Sequence, residues 1–152
     1  MKTITKTFLT LIPSCIFTLS MAISSSATFA SELEVNLTDI EKQSGQILLA
    51  IYDSEDAYNG NGEPIQTASI DVYEESITLN FNGLPDGTYA IKLIHDLNNN
   101  GQMDINAMGL PQDGYGFSNN VGKYGLPPFN AAKFDVIDTA TIKMVVRPPV
   151  SF

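Results

Sequence analysis

The sequence is short of cysteine, of positive charge and of histidine, and each shortage closes off a class of function. It holds one cysteine, Cys15, in 152 residues. A lone cysteine offers no intrachain disulfide and no cysteine-ligated zinc site. Lysine and arginine together number 8 against 17 aspartates and glutamates. Such a balance repels phosphate backbones and anionic membrane surfaces, so nucleic acid is a poor partner and a cation a fitting one. His95 is the single histidine. Beyond residue 30 no stretch has a helical apolar period, and no internal repeat is visible.

What is there begins with an export signature. Lys2 and Lys6 are the only charges in the first thirty residues. Residues 8–23 are mostly apolar, and small residues follow up to Ala30. A basic start, an apolar middle and a small-residue end are the parts of a secretory signal peptide. Thr28 and Ala30 suit cleavage after Ala30; cleavage after Ala27 is the alternative. The apolar run is interrupted by Thr10, Pro13, Ser14 and Thr18 and is short for a span of about 20 residues. Because that run continues past Cys15, a lipid-anchored cysteine is not expected. The reading is a signal peptide over 1–30 and one domain over 31–152, periplasmic or extracellular, with no transmembrane segment in the mature part. Two of the 8 basic residues fall before Ser31 and all 17 acidic ones after it, so the mature chain sets 6 against 17, a net charge of −11.

The mature chain reads as β. Leu33, Val35 and Leu37 alternate with polar residues, as do Ala68, Ile70 and Val72, then Ile77, Leu79 and Phe81, then Tyr89, Ile91 and Leu93. Residues 47–52 form a continuous apolar run of strand length. Phe134 and Val136 mark a short segment, and Ala140, Ile142, Met144 and Val146 a longer one. Period-two alternation buries one face and wets the other. Seven such segments predict an all-β, antiparallel two-sheet sandwich of immunoglobulin-like or transthyretin-like architecture. Leu84-Pro85-Asp86-Gly87 is a turn, since proline fixes its first corner and glycine its last. Residues 96–130 are too long for an ordinary loop. They still carry Tyr115, Phe117, Tyr124 and Phe129, which disordered linkers lack. They are expected to form one ordered, mostly irregular excursion after the fifth strand.

That excursion opens on a chemical pattern. In Asp96-Leu97-Asn98-Asn99-Asn100-Gly101-Gln102-Met103-Asp104, oxygen-bearing side chains stand at positions one, three, five and nine, with glycine at six. This is the first part of an EF-hand-type calcium loop. Asp96, Asn98, Asn100, Asp104 and the Gln102 carbonyl are the candidate Ca²⁺ ligands. Position twelve is Ala107 instead of a bidentate glutamate, so a further ligand must come from elsewhere, with Asn106 and Asp113 as candidates. The alternative is an Asn/Gly-rich turn held by side-chain to backbone bonds. Tyr115, Phe117, Asn119 and Asn120 are candidate ligand contacts, and the aromatics are equally suited to packing beneath the loop.

Catalysis has thinner support. His95 beside Asp96 suits acid–base work, and Ser118 is the nearest candidate nucleophile, but it stands outside a Gly-x-Ser-x-Gly elbow. The acidic group Asp53, Glu55 and Asp56 is read as a solvated loop. The stretches His95-Asp96, Asn98-Asn99-Asn100-Gly101, Asp104, Gly109-Leu110-Pro111 and Gly114-Tyr115-Gly116-Phe117-Ser118-Asn119-Asn120 resemble an exported bacterial family, domain of unknown function 2141. Ile51-Tyr52-Asp53, Gly83-Leu84-Pro85-Asp86-Gly87-Thr88-Tyr89 and Pro127-Pro128-Phe129 extend the resemblance over most of the mature chain. It implies an exported, β-rich protein and supplies no activity, substrate or catalytic residue.

The expected function is a non-enzymatic exported sandwich whose calcium-organised loop binds a small molecule, glycan or envelope protein. The alternatives are a periplasmic hydrolase using His95 with Asp96 or Ser118, and a purely structural envelope component. N-terminal sequencing of exported protein should read from Ser31, or from Thr28 if cleavage follows Ala27. A start at Met1 in the envelope fraction would contradict the signal-peptide reading.

Overall fold

The computed structural model describes residues 31–150; the expected signal peptide lies outside them. Among the described residues eight strands form: β1 Ser31–Thr38, β2 Gln46–Tyr52, β3 Gln66–Asp71, β4 Ile77–Leu84, β5 Gly87–Asp96, β6 Gly114–Phe117, β7 Phe134–Val136 and β8 Thr139–Val145. Their order is β4-β1-β8 in one sheet and β3-β2-β5-β6 in the other, with β7 also pairing β5. The fold is the expected all-β sandwich. Pairing is antiparallel throughout except between β1 and β8, which run parallel. No helix among the described residues is long and apolar enough to cross a membrane.

The alternation read from the sequence builds the core between the sheets. Leu33, Val35 and Leu37 of β1 face Ile47, Leu49 and Ile51 of β2, and Leu79, Phe81, Ile91, Leu93 and Met144 join them. Each such side chain contributes about 1.5–3 kcal/mol by leaving water. The Leu84-Pro85-Asp86-Gly87 turn does not close a hairpin. It carries the chain from the three-stranded sheet to the five-stranded one, because β4 pairs β1 while β5 pairs β2. The Tyr89 hydroxyl donates to the Pro85 carbonyl at 2.6 Å and fixes that crossing.

The excursion over residues 96–130 is not mostly irregular throughout. It contains β6, an eighth strand on the edge of β5, and ends in a single turn of α1, Phe129–Ala132. The sequence hides β6 because its alternation is glycine against aromatic, Gly114-Tyr115-Gly116-Phe117, with no aliphatic period. The glycines are demanded by crowding. A Cβ on Gly114 would lie 2.9 Å from His95 Cβ and 3.0 Å from the Arg147 carbonyl oxygen. One on Gly116 would lie 2.9 Å from the Val145 carbonyl oxygen and 3.1 Å from Leu93 Cγ. The backbone of β6 therefore presses on the end of β8, and Tyr115 exchanges backbone hydrogen bonds with Arg147 at 2.9 and 2.8 Å. Gly116→Ala should destabilise the fold by about 1–3 kcal/mol through overpacking, lowering the melting temperature by about 4 °C or more. An unchanged melting curve would show that β6 does not press on β8.

Candidate functional site

Asp96 ends β5 with its side chain fully buried (0 % exposed). It stands opposite Gln46 of β2, whose amide donates to Asp96 Oδ2 at 2.9 Å. Ser69 of β3 donates in turn to Gln46 Oε1 at 2.9 Å. The chain then coils back on the carboxylate. The Gly101 N–H donates to Oδ2 at 2.8 Å and the Asn100 N–H to Oδ1 at 3.2 Å. This reversal uses left-handed backbone at Asn99 (φ 58°) and Gly101 (φ 82°), residue types that adopt it with least strain. Asp113, also buried, ties the far side: its oxygens accept the Leu97 N–H at 3.2 Å and the Asp104 N–H at 2.8 Å. Burial disfavours the charge on Asp96, but the donors from Gly101, Gln46, Asn100 and Asn99 together outweigh it and hold the pKa below its ordinary value.

The coil gathers most of the expected calcium ligands. Asn98 and Asn100 donate from Nδ2 to the Asp104 carboxylate at 2.7 and 3.0 Å. Gln102 joins through its N–H, which donates to Asn100 Oδ1 at 3.0 Å. The further carboxylate drawn in is Asp113. Asn106 closes its own turn, accepting from Met108 and Leu110 at 2.9 and 3.0 Å. This donor set fits a cation only in part. Amide nitrogens face Asp104 where an ion would require oxygens. Among the described residues no group of three or more His, Cys, Asp or Glu is placed to hold a metal. The hydrogen bonds are those of Asx turns, complete in themselves.

Beside the coil lies a groove on the outer face of the five-stranded sheet. Cross-strand register sets its floor in rows: Ser69, Leu48, Ile94 and Tyr115, then Thr67, Ala50, Lys92 and Phe117, then Tyr52, whose partner Ala90 is already covered. Gln46 and Asp96 form the row before these. The excursion supplies the walls through Met103, Leu110, Pro111, Tyr124 and Leu126, enclosing about 830 Å³. That volume lies within the usual range for small-molecule sites. At the Tyr52 end a second apolar cluster covers the sheet: Tyr58, Ala90, Phe129 and Ala132, with Tyr52 packed against it. Tyr58 stacks edge-on against Tyr52 and Phe129, each at 5.7 Å between ring centres. Lys92 Nζ stands 4.1 Å from the Tyr58 ring centre and 5.1 Å from that of Tyr52, and donates to the Tyr58 carbonyl. Burial lowers the Lys92 pKa from its usual value.

Of the four candidate ligand contacts, Tyr115 and Phe117 line the groove. Asn119 and Asn120 are not among its lining residues. Asn119 Nδ2 donates to the Ala131 and Lys133 carbonyls at 3.1 and 2.8 Å. Asn120 accepts from the Val145 N–H at 2.7 Å and donates to the Lys143 carbonyl at 3.1 Å. Both have left-handed backbone, φ 59° and 55°. The pair clamps the end of the excursion to α1 and β8. His95 and Ser118 are likewise occupied by backbone. The His95 Nε2–H donates to the Ser44 carbonyl at 2.8 Å. The Ser118 hydroxyl donates to the Ala132 carbonyl at 2.6 Å and accepts from the Ile91 N–H at 2.9 Å. Ile91 and His95 lie four residues apart on one strand, roughly 13 Å. The crevice beside His95 encloses about 20 Å³, room for about one water.

Read as alternation, the sequence left Leu48, Ala50, Tyr52, Lys92 and Ile94 without a role. The available signal was the unbroken apolar run of 47–52 and the apolar Ala90 and Ile94 between core positions. A strand apolar on both faces is covered on both. The model of a family described as an uncharacterized protein conserved in bacteria, DUF2141, matches residues 35–144. The chain belongs to this family. No curated protein and no solved structure matches it.

The depressed pKa of Asp96 fixes the sign of a pH effect. Its ionised form stabilises the fold at neutral pH, and that contribution is lost as pH falls through the folded-state value, below about 4. Asp96→Asn should cost about 2–3 kcal/mol at pH 7, since it leaves backbone donors facing an amide. In melting curves the gap between wild type and variant should narrow at pH 3. A gap independent of pH would contradict the charge-based account.

Proposed function

We propose that this family member is an exported, non-enzymatic binding module that takes a small apolar molecule in the groove on its five-stranded sheet. The groove itself carries the reading: apolar strand residues form its floor, aromatic residues from β6 and residues 121–126 form one side, and its volume suits a small ligand. Binding sites of this kind are concave, largely apolar and built from rigid elements carrying a few polar groups. The excursion over residues 96–130 then has one purpose on both of its flanks. Its first part folds on Asp96, its last part is clamped by Asn119 and Asn120, and between them lies the roof.

Calcium is the proposed organiser of the coil. The Asn98 and Asn100 side chains converge on the Asp104 carboxylate, and among the described residues none of the hydrogen-bond partners of Asp96, Asp104 or Asp113 is a lysine or arginine. A half-turn of the Asn98 and Asn100 amides exchanges nitrogen for oxygen beside Asp104, and an ion there takes the place of the two amide donors. The hydrolase alternative would ask His95 or Ser118 to leave its backbone partner before meeting substrate.

A neutral fluorescent dye such as Nile red tests the groove. Purified protein should bind it at about one per chain, and Leu48→Glu, which places a charge on the floor, should abolish binding while the melting curve survives. Dye binding unaffected by Leu48→Glu would remove the reading. In the same assay, millimolar calcium after chelator treatment should raise the melting temperature by very roughly 5 °C, and Asp104→Asn should remove that rise. Identical curves in chelator and calcium would leave the coil as a metal-free Asx turn.

A further inference from the structure

The groove differs in charge from the rest of the chain. Against 17 acidic and 8 basic residues in the whole sequence, the charged side chains lining it are Lys92 and Lys123, and no aspartate or glutamate is among them. Lys92 is half-buried in the middle of the floor. Its ammonium has three protons to donate. One goes to the Tyr58 carbonyl, and the Tyr52 and Tyr58 ring faces lie beside it. Among the described residues no carboxylate is one of its hydrogen-bond partners. An ammonium held against apolar surface without a counter-charge is costly, and its lowered pKa reports that cost.

Resting on the groove being a ligand site, we propose that its occupant is a single-chain amphiphile with an anionic end, of which a medium-chain carboxylate is the simplest case. The head seats on Lys92 near Tyr52, and the tail lies over Leu48 and Ile94 beneath Met103, Leu110 and Pro111. A neutral head could accept a hydrogen bond from Lys92 but would bury its ammonium without a counter-charge. A cationic head would meet like charge. The opposite orientation would bring the anion toward Asp96, which lies in the row beyond Leu48 and Ile94. The acidic surface elsewhere does not prevent this, because salt screens charges over about 8 Å at physiological ionic strength. At the mouth, Lys123 stands 5.4 Å from the Tyr124 ring centre. Tyr124 and Leu126 are 93 % and 63 % exposed and can cover a bound chain.

The test varies the head at constant tail. Calorimetry on the purified protein compares decanoate and decyltrimethylammonium, both below their micelle concentrations, with decanol below its solubility limit. Decanoate should bind about tenfold or more tighter than the other two. Lys92→Met should reduce that preference to about twofold, Lys92→Arg should keep most of it, and Lys123→Met at the rim should lose less than Lys92→Met. Melting curves establish that each variant is folded. If decanol matches decanoate in the wild type, the anionic-head inference falls and the apolar groove stands. If none of the three binds, both fall. If Lys92→Arg loses as much as Lys92→Met, charge at this position is not the determinant and the assignment is overturned.

Discussion

Strand β2 is largely apolar on both faces, and the outer face of β5 sets Ala90 and Ile94 on either side of Lys92, so much of this outer surface is apolar and needs cover. Ile47, Leu49, Ile51, Ile91 and Leu93 fill the space between the sheets. Leu48, Ala50, Tyr52, Ala90 and Ile94 project from the opposite face. A two-sheet sandwich covers only the first set. The second set needs another layer, and residues 96–130 and the segment holding Tyr58 provide it. At one end the cover is complete: Tyr58, Phe129 and Ala132 close over Ala90 with almost no exposure. Over Leu48, Ala50 and Ile94 the cover stands off from the floor, and the groove is the space between.

Holding a long excursion over a sheet requires fixed points, and these are polar. Asp96 is the first. It is compensated by neutral dipoles: two backbone N–H groups and the Gln46 amide at 2.8–3.2 Å. Asp113 repeats the device, joining Leu97 to Asp104. Charge-assisted hydrogen bonds of this kind are stronger than neutral ones and more directional than apolar contact, so they set where the coil turns. Asn119 and Asn120 are the last fixed points. Their left-handed backbone reverses the chain while their amides reach α1 and β8.

The same arrangement separates charge. The carboxylates of the excursion are folded into the coil, whereas Lys92 and Lys123 face the groove. Crowding also shapes it. Glycine at 114 and 116 lets β6 approach β8, and that approach turns Tyr115 and Phe117 outward to line the groove. Gly122 (φ 77°) serves beside them, since a Cβ there would stand 2.5 Å from the Phe117 ring. The aromatic side of the groove thus depends on three positions without side chains.

Local sequence determined the sandwich, because period-two alternation is a property of consecutive residues and six of the seven segments carried it by themselves, the seventh being the apolar run of 47–52. It also determined that residues 96–130 were ordered and that Asp96 to Asp104 would coil, since Asn, Asp and Gly favour left-handed and Asx-turn backbone wherever they stand. It did not reveal β6, whose glycines conceal the period, nor the clamping role of Asn119 and Asn120. The groove lay further out of reach. Leu48, Ile94, Lys92 and Tyr115 become neighbours only through the pairing of β2 with β5 and β5 with β6, and pairing register is not written in any one segment. Tertiary structure alone decided that His95 and Ser118 bond to backbone, that Asp113 ties Leu97 to Asp104, and that two lysines of an acidic chain face one apolar space. The physical reason is the same in each case: these contacts join residues distant in sequence, and their geometry exists only once both sheets and their cover are packed.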